Sequence, residues 1–147
     1  MRLVYKFITK QYNEELSRLC EVSKNLYNQA LYEIKTTLKE EKRFLFYNDL
    51  DKLMKEKQNL NGEINYRLLK AQVSQQILKV LDKSLKSYVK SVKDWSKHKE
   101  KYKGMPKLPN YKGKSSKHFL IYTNQCCSIS EDGYLKLSKI LKIRIPQ

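Results

Sequence analysis

Lysine is the residue with which this chain can do chemistry. Lys70, Lys79, Lys83, Lys86, Lys90, Lys93 and Lys97 recur along one stretch that no Gly or Pro interrupts, with only Asp82 and Asp94 as acids among them. A solvated helix ordinarily mixes signs so that residues four apart can pair. This spacing instead lines up ammonium groups, and what such a line can do is hold a polyanion by its phosphates. A stripe kept only for solubility is the alternative. Farther on, Lys97, Lys103, Lys112 and Lys114 are interleaved with Tyr102 and Tyr111. A ring for the base and a cation for the phosphate is what a single strand needs, which makes the two tyrosines candidates for base stacking. A disordered linker with solvated lysines fits the same residues.

Bond-making chemistry finds little support. Glu14 with Glu15, Glu40 with Glu41 and Asp49 with Asp51 fall where helix ends would use them as caps and dipole partners. Cys20, Cys126 and Cys127 form neither a CxxC pair nor a disulfide framework, and His98 and His118 lie far apart in Lys-rich surroundings. The sequence therefore predicts no catalytic residues, no metal site and no cofactor.

Charge sharpens the expectation. Of the formal +16, most sits in residues 79–117, where 13 Lys and Arg face 3 acids. That localisation is the electrostatic footprint of nucleic-acid binding. No run reaches the length of a membrane span, and residues 1–10 lack the apolar core of a signal peptide. The expectation is a cytoplasmic protein in a reducing compartment, with no membrane partner.

The elements that must position these lysines follow from periodicity. Leu3–Ile8 alternates like a strand. Asn13, with Thr9 as a rival cap, opens a helix to Glu41 whose stripe includes Leu16, Leu19, Cys20, Leu26, Tyr27, Ala30, Leu31 and Ile34. Within it Tyr27 reads as core rather than as a base-stacking ring. Asn48 caps a short helix through Lys57, and 59–62 form a turn. A long helix then runs from Tyr66 to Trp95, burying Leu69, Val73, Ile77, Leu81, Leu85, Tyr88, Val92 and Trp95. Three such helices pack as an antiparallel bundle. Gly104, Pro106, Pro109 and Gly113 end the helical region, and Phe119–Thr123, Cys127–Ser130, Tyr134–Leu137 and Ile140–Ile145 read as strands around a Glu131-Asp132-Gly133 turn. The order implies an α+β fold in which a helical bundle is inserted after the first strand of a β-domain.

Four segments occur in an order that is familiar: Lys24-Asn25-Leu26-Tyr27-Asn28-Gln29-Ala30-Leu31; Val73-Ser74-Gln75-Gln76-Ile77-Leu78 ending in Leu81-Asp82-Lys83; Gly104-Met105-Pro106-Lys107-Leu108-Pro109; and Asp132-Gly133-Tyr134-Leu135-Lys136-Leu137. Together they resemble the N-terminal half of TnpB, the transposon-encoded RNA-guided nuclease family related to miniature type V CRISPR effectors. The resemblance implies a small β-barrel-like wedge domain, with strand 1 in residues 1–10 and the remaining strands in 118–147. A helical recognition lobe would span 11–103, and a basic linker 104–117. It implies structured guide RNA and duplex DNA as partners, and motif reading by Tyr47, Gln75, Thr123 and Asn124. Ala71 stands where some members carry a lysine. Gln75 reads equally as a solvated or bundle-bridging glutamine. In the family, cleavage belongs to a RuvC-like domain, which by the resemblance would begin beyond Gln147.

The physics of such contacts is consistent: Gln pairs with adenine in the major groove, Thr touches thymine, and lysines position the backbone. A heteroduplex would be recognised largely by its shape. The leading expectation is a binding module without catalysis. The alternatives are the guide-binding half of a split nuclease working with a RuvC-like domain in trans, and a protein-interaction or autoregulatory remnant of a transposon protein.

Overall fold

Two long helices lying side by side carry the molecule. The computed structural model describes residues 2–10 and 12–146. Met1, Gln11 and Gln147, which fall within the expected wedge and lobe ranges, lie outside the described residues.

Helix α1 spans Glu14–Glu41 and is capped by Asn13, whose side chain accepts from the Leu16 amide at 2.9 Å. The expected capping residue is the one used, and Glu14 and Glu15 occupy the first turn, where the helix dipole favours acids. Helix α1 ends at Lys42, which sits in the left-handed region at φ 54. Helix α2 spans Tyr47–Met54. It is shorter than expected, and Asn48 does not cap it: Phe46 stands at the cap position without a side-chain bond. The cap comes from across the fold, where Asp82 accepts from the Tyr47 amide at 2.8 Å.

The long helix also starts later than its periodicity predicts. Residues Asn65–Leu68 form a 3-10 turn, Leu69 is extended, and helix α3 covers Ala71–Lys97. Three bonds explain the break. The Tyr66 hydroxyl donates to Asp51 at 2.9 Å, the Ser74 hydroxyl donates to the Tyr66 carbonyl at 2.7 Å, and Asn65 reaches Gln29 at 3.2 Å. Tyr66 and Leu69 are still buried, but from a turn rather than from a helical face.

The core is shared. Leu26, Ala30, Leu31 and Ile34 of α1 meet Val73, Ile77, Leu81 and Leu85 of α3, with Leu50 and Met54 of α2 closing one side. Each fully buried aliphatic side chain contributes about 2 kcal/mol of transfer free energy. Toward the far end of α3 burial fades: Tyr88, Val92 and Trp95 are only half-buried because α2 and the 3-10 turn do not extend that far. Cys20, expected inside the α1 stripe, is likewise half-buried.

The β-region is smaller than its sequence suggests. Strands β1 (Ser128–Ile129), β2 (Tyr134–Lys136) and β3 (Lys142–Arg144) form one antiparallel sheet in the order β1-β2-β3. The register pairs Ser128 with Lys136 and Tyr134 with Arg144, around Gly133 at φ 87. Leu137 and Leu141, just beyond β2 and before β3, reach into the helical core.

The sheet is open, not a barrel, and two expected strands are absent from it. Leu3–Ile8 forms no ladder; the Tyr5 hydroxyl reaches the Pro146 carbonyl in a long bond, 3.5 Å. Leu3, Val4 and Ile8 are more than four-fifths exposed. Strand propensity reports fit to a half-buried pleated surface, and none is offered to these side chains. Phe119–Thr123 is irregular as well, because its neighbourhood is spent on side-chain bonds to α1 and α3 rather than on a ladder.

Candidate nucleic-acid interface

The basic stripe is a geometric fact. At about 100° per residue, Lys79, Lys83, Lys86, Lys90, Lys93 and Lys97 fall within an arc of roughly 80° on α3, over roughly 27 Å of axis. All six are exposed. A strand at about 3.4 Å per phosphate would place about eight phosphates along that length.

What became of the two acids decides the electrostatics. Asp82 is 8% exposed and spends one oxygen on the Tyr47 amide, while the other takes Lys86 at 2.8 Å. Asp94 accepts from the Tyr102 hydroxyl at 2.5 Å, which holds its carboxyl below the ordinary range; the same bond pushes the Tyr102 phenol up. Among the described residues, Lys79, Lys83, Lys90, Lys93 and Lys97 have no ion-pair partner within 4 Å. The stripe is thus nearly unneutralised.

Both flanks are built up into walls. On one side Phe46, Tyr47 and Asp49 of the α2 entry join Lys79, Asp82 and Lys86 around a cleft of about 380 Å³. There the Lys79 ammonium lies 5.5 Å from the Tyr47 ring, and Lys86 lies 6.0 Å from Phe46. On the other side Pro106, Lys107 and Pro109 run beside Lys83, Ser84, Ser87 and Ser91 around about 440 Å³. Pro106–Pro109 therefore supplies a wall of the stripe. Lys107 and the three serines are functional candidates that sequence reasoning passed over; serines at a spacing of three and four beside the lysines were the available signal.

The other predicted site residues are divided. Tyr47 is half-buried, and burial, then Asp51 and Asp82, push its phenol up. Gln75 lies beside the Tyr66 hydroxyl, itself pushed up to about 12 by burial and by Asp51. Gln75 and Gln72 continue the line of the stripe toward the start of α3. The Thr123 hydroxyl donates to Gln72 at 2.6 Å, and the Gln72 amide donates to Gln125 at 2.9 Å. Thr123 is therefore already engaged, whereas Asn124 beside it is exposed. An uncharged amide and hydroxyl patch thus abuts the head of the lysine line. Gln72 and Gln125, its anchors, carried no signal in the sequence.

Lys112, Lys114 and Tyr111 are held elsewhere, along α1. Asn28 bonds both the amide and the carbonyl of Lys112, at 2.8 and 3.0 Å, and buried Lys24 donates to the Lys114 carbonyl at 2.9 Å. Lys117 bonds Ser17. Lys35 covers the Tyr111 ring at 4.3 Å, so that face is taken. Tyr102 is tied to Asp94, and Lys103 beside it is exposed at the foot of the stripe. Below this strap His118 is buried, stacked on Tyr27 at 4.8 Å and on Phe119 at 4.1 Å, with Nδ1 3.0 Å from the Ser23 hydroxyl. Burial holds its pKa below the ordinary value, Lys112 adds to the lowering, and a bond to the Phe119 carbonyl opposes it.

Among the described residues, no group of three or more His, Cys, Asp or Glu side chains is placed to hold a metal ion. Nor is any of their helices long and apolar enough to cross a membrane. Comparison with protein-family models finds no match for the chain, and comparison with curated proteins finds none either.

Proposed function

We propose that this chain is a nucleic-acid-binding module that grips a strand or duplex along α3 and acts without cleaving it. The observation that carries the reading is the one-sided line of six exposed lysines of which only Lys86 is ion-paired, while the two intervening acids are engaged, Asp82 with the Tyr47 amide as well as Lys86 and Asp94 with the Tyr102 phenol. At its head Gln75 and Asn124, beside the mutually bonded Thr123, Gln72 and Gln125, offer amide groups of the kind that read adenine edges, while the lysines would fix position on the backbone. In this reading the chain corresponds to the guide-RNA and motif-binding portion of a TnpB-like RNA-guided nuclease, working in the cytoplasm on structured RNA and flanking duplex DNA. The family assignment rests on the four sequence segments alone.

A salt series tests it. Binding of a labelled RNA hairpin and of a DNA duplex is measured by fluorescence anisotropy between 50 and 300 mM salt, for the natural sequence and for Lys83→Gln/Lys90→Gln/Lys93→Gln. If these three lysines each neutralise one phosphate, the slope of log K against log salt becomes shallower by about 2.7 for a duplex. An unchanged slope, or affinity weaker than millimolar at low salt, refutes the stripe. Incubation with guide, target and Mg2+ tests the second half of the proposal, and reproducible cleavage by the purified chain overturns it.

A further inference from the structure

The sheet and the head of α3 enclose a second basic site that the α3 line does not include. A cleft of about 550 Å³ is lined by Lys70, Lys136, Lys139 and Lys142, with Ser128 and Ser138 among its remaining walls and no carboxylate. These include every lysine of residues 118–147; Arg144, the region's other cation, lies against Tyr134 instead. Asp132, the nearest acid along the chain, bonds Ser130 and does not line the cleft, although Lys136 and Lys142 lie near enough to help lower its pKa. Lys70 is fixed there by its bond to the Cys126 carbonyl at 2.7 Å, and the β2–β3 pairing of Lys136 with Lys142 sets those two side by side. None of the four forms an ion pair among the described residues.

We propose that this cleft binds a terminal phosphate chain, a di- or triphosphate with three or more negative charges. The argument is one of charge density. An internal phosphodiester carries a single charge and suits the extended line on α3, whereas four ammonium groups around a cleft of this size match a compact polyanion. Hydroxyls at Ser128 and Ser138 supply neutral donors of the kind that orient such oxygens. Two sources share this chemistry, the 5′ end of a nucleic-acid strand and a free nucleotide. The strand-end source rests on the function proposed above; the nucleotide source does not.

The experiment compares one RNA hairpin bearing a 5′-triphosphate, a 5′-monophosphate or a 5′-hydroxyl, and titrates ATP and inorganic tripolyphosphate separately by calorimetry. The chain is used whole, alongside Lys136→Gln/Lys139→Gln/Lys142→Gln and Lys83→Gln/Lys90→Gln/Lys93→Gln, each checked for fold by circular dichroism. The 5′-triphosphate strand should bind at least about tenfold more tightly than the 5′-hydroxyl strand. The first triple variant should lose that preference and the second should keep it. Saturable tripolyphosphate binding that depends on the first set stands even if RNA affinity proves independent of α3, which separates the two proposals. Binding of ATP and tripolyphosphate without a strand-end preference assigns the cleft to free nucleotides. Indifference to the 5′ end together with no binding of either small polyanion overturns the proposal, as does an equal loss for all three strand ends in the first variant.

Discussion

Asp82 does two jobs that a substitution can separate. It caps α2 by accepting from the Tyr47 amide at 2.8 Å, and it neutralises Lys86 at 2.8 Å within the basic stripe. Asp82→Ala removes the cap and leaves a half-buried amide without its acceptor. Loss of a cap costs about 1 kcal/mol, and the unpartnered amide brings this to about 2. The Lys86 pair adds little, since that side chain is 65% exposed. Asp82→Asn keeps an acceptor oxygen and should cost only about 0.5 kcal/mol. For nucleic-acid binding both changes work in the opposite direction. A phosphate about 6 Å from the carboxylate is repelled by about 0.7 kcal/mol at water-like dielectric, so removing the charge tightens binding about threefold at low salt. The freed Lys86 also steepens the salt slope by about 0.9. Urea unfolding and anisotropy on the same preparations give both readouts. If Asp82→Asn loses as much stability as Asp82→Ala, or if neither tightens binding, the assignment of Asp82 as a cap that also restrains the stripe is wrong.

Two further substitutions probe the scaffold. Lys42 holds a left-handed conformation at φ 54, which costs a side-chain-bearing residue about 1 kcal/mol, so Lys42→Gly should raise the melting temperature by roughly 4 °C without altering RNA affinity; a lower melting temperature contradicts the strain argument. His118 has a folded pKa below its unfolded one, so the unfolded chain binds more protons as pH falls through the ordinary histidine range. The stabilisation is fully present above about pH 6.5 and is lost progressively below it. Thermal melts between pH 7.5 and 5.5 should show this decline, and His118→Gln should flatten it; an identical decline in the variant places the titration elsewhere.

The helices were legible where local and global preferences agree. Asn13 followed by two acids and a long stripe specified α1, and the lysine spacing specified which face of α3 stays wet. What periodicity could not show is that Tyr66 would be drawn toward Asp51, breaking the long helix before it began. Leu3–Ile8 failed for a related reason: alternation marks a segment able to be a strand, but pairing needs a neighbour, and the three short strands do not offer it one. The site was half legible. Lysines four and three apart must share a face, so the stripe followed from spacing alone. The division of the downstream lysines did not, because Lys112 and Lys114 are placed by Asn28 and Lys24, contacts more than eighty residues away in the chain.

In the sequence Asp82 and Asp94 read as interruptions of a basic series, yet each joins the stripe to one of its flanks. Asp82 fixes the α2 entry, where Phe46 and Tyr47 stand beside Lys79 and Lys86. Asp94 fixes Tyr102, from which the chain turns back toward Pro106 and Lys107 along the opposite side. A carboxylate on this face repels a phosphate; engaged with an amide or a phenol, it also sets a wall of the groove, which offsets that cost. Acids are therefore tolerated on this face at the positions where a flanking element needs an acceptor, while the residues between, with no such neighbour, are lysines open to a strand. The same side chains thus link the folding of the helical layer to the charge it presents.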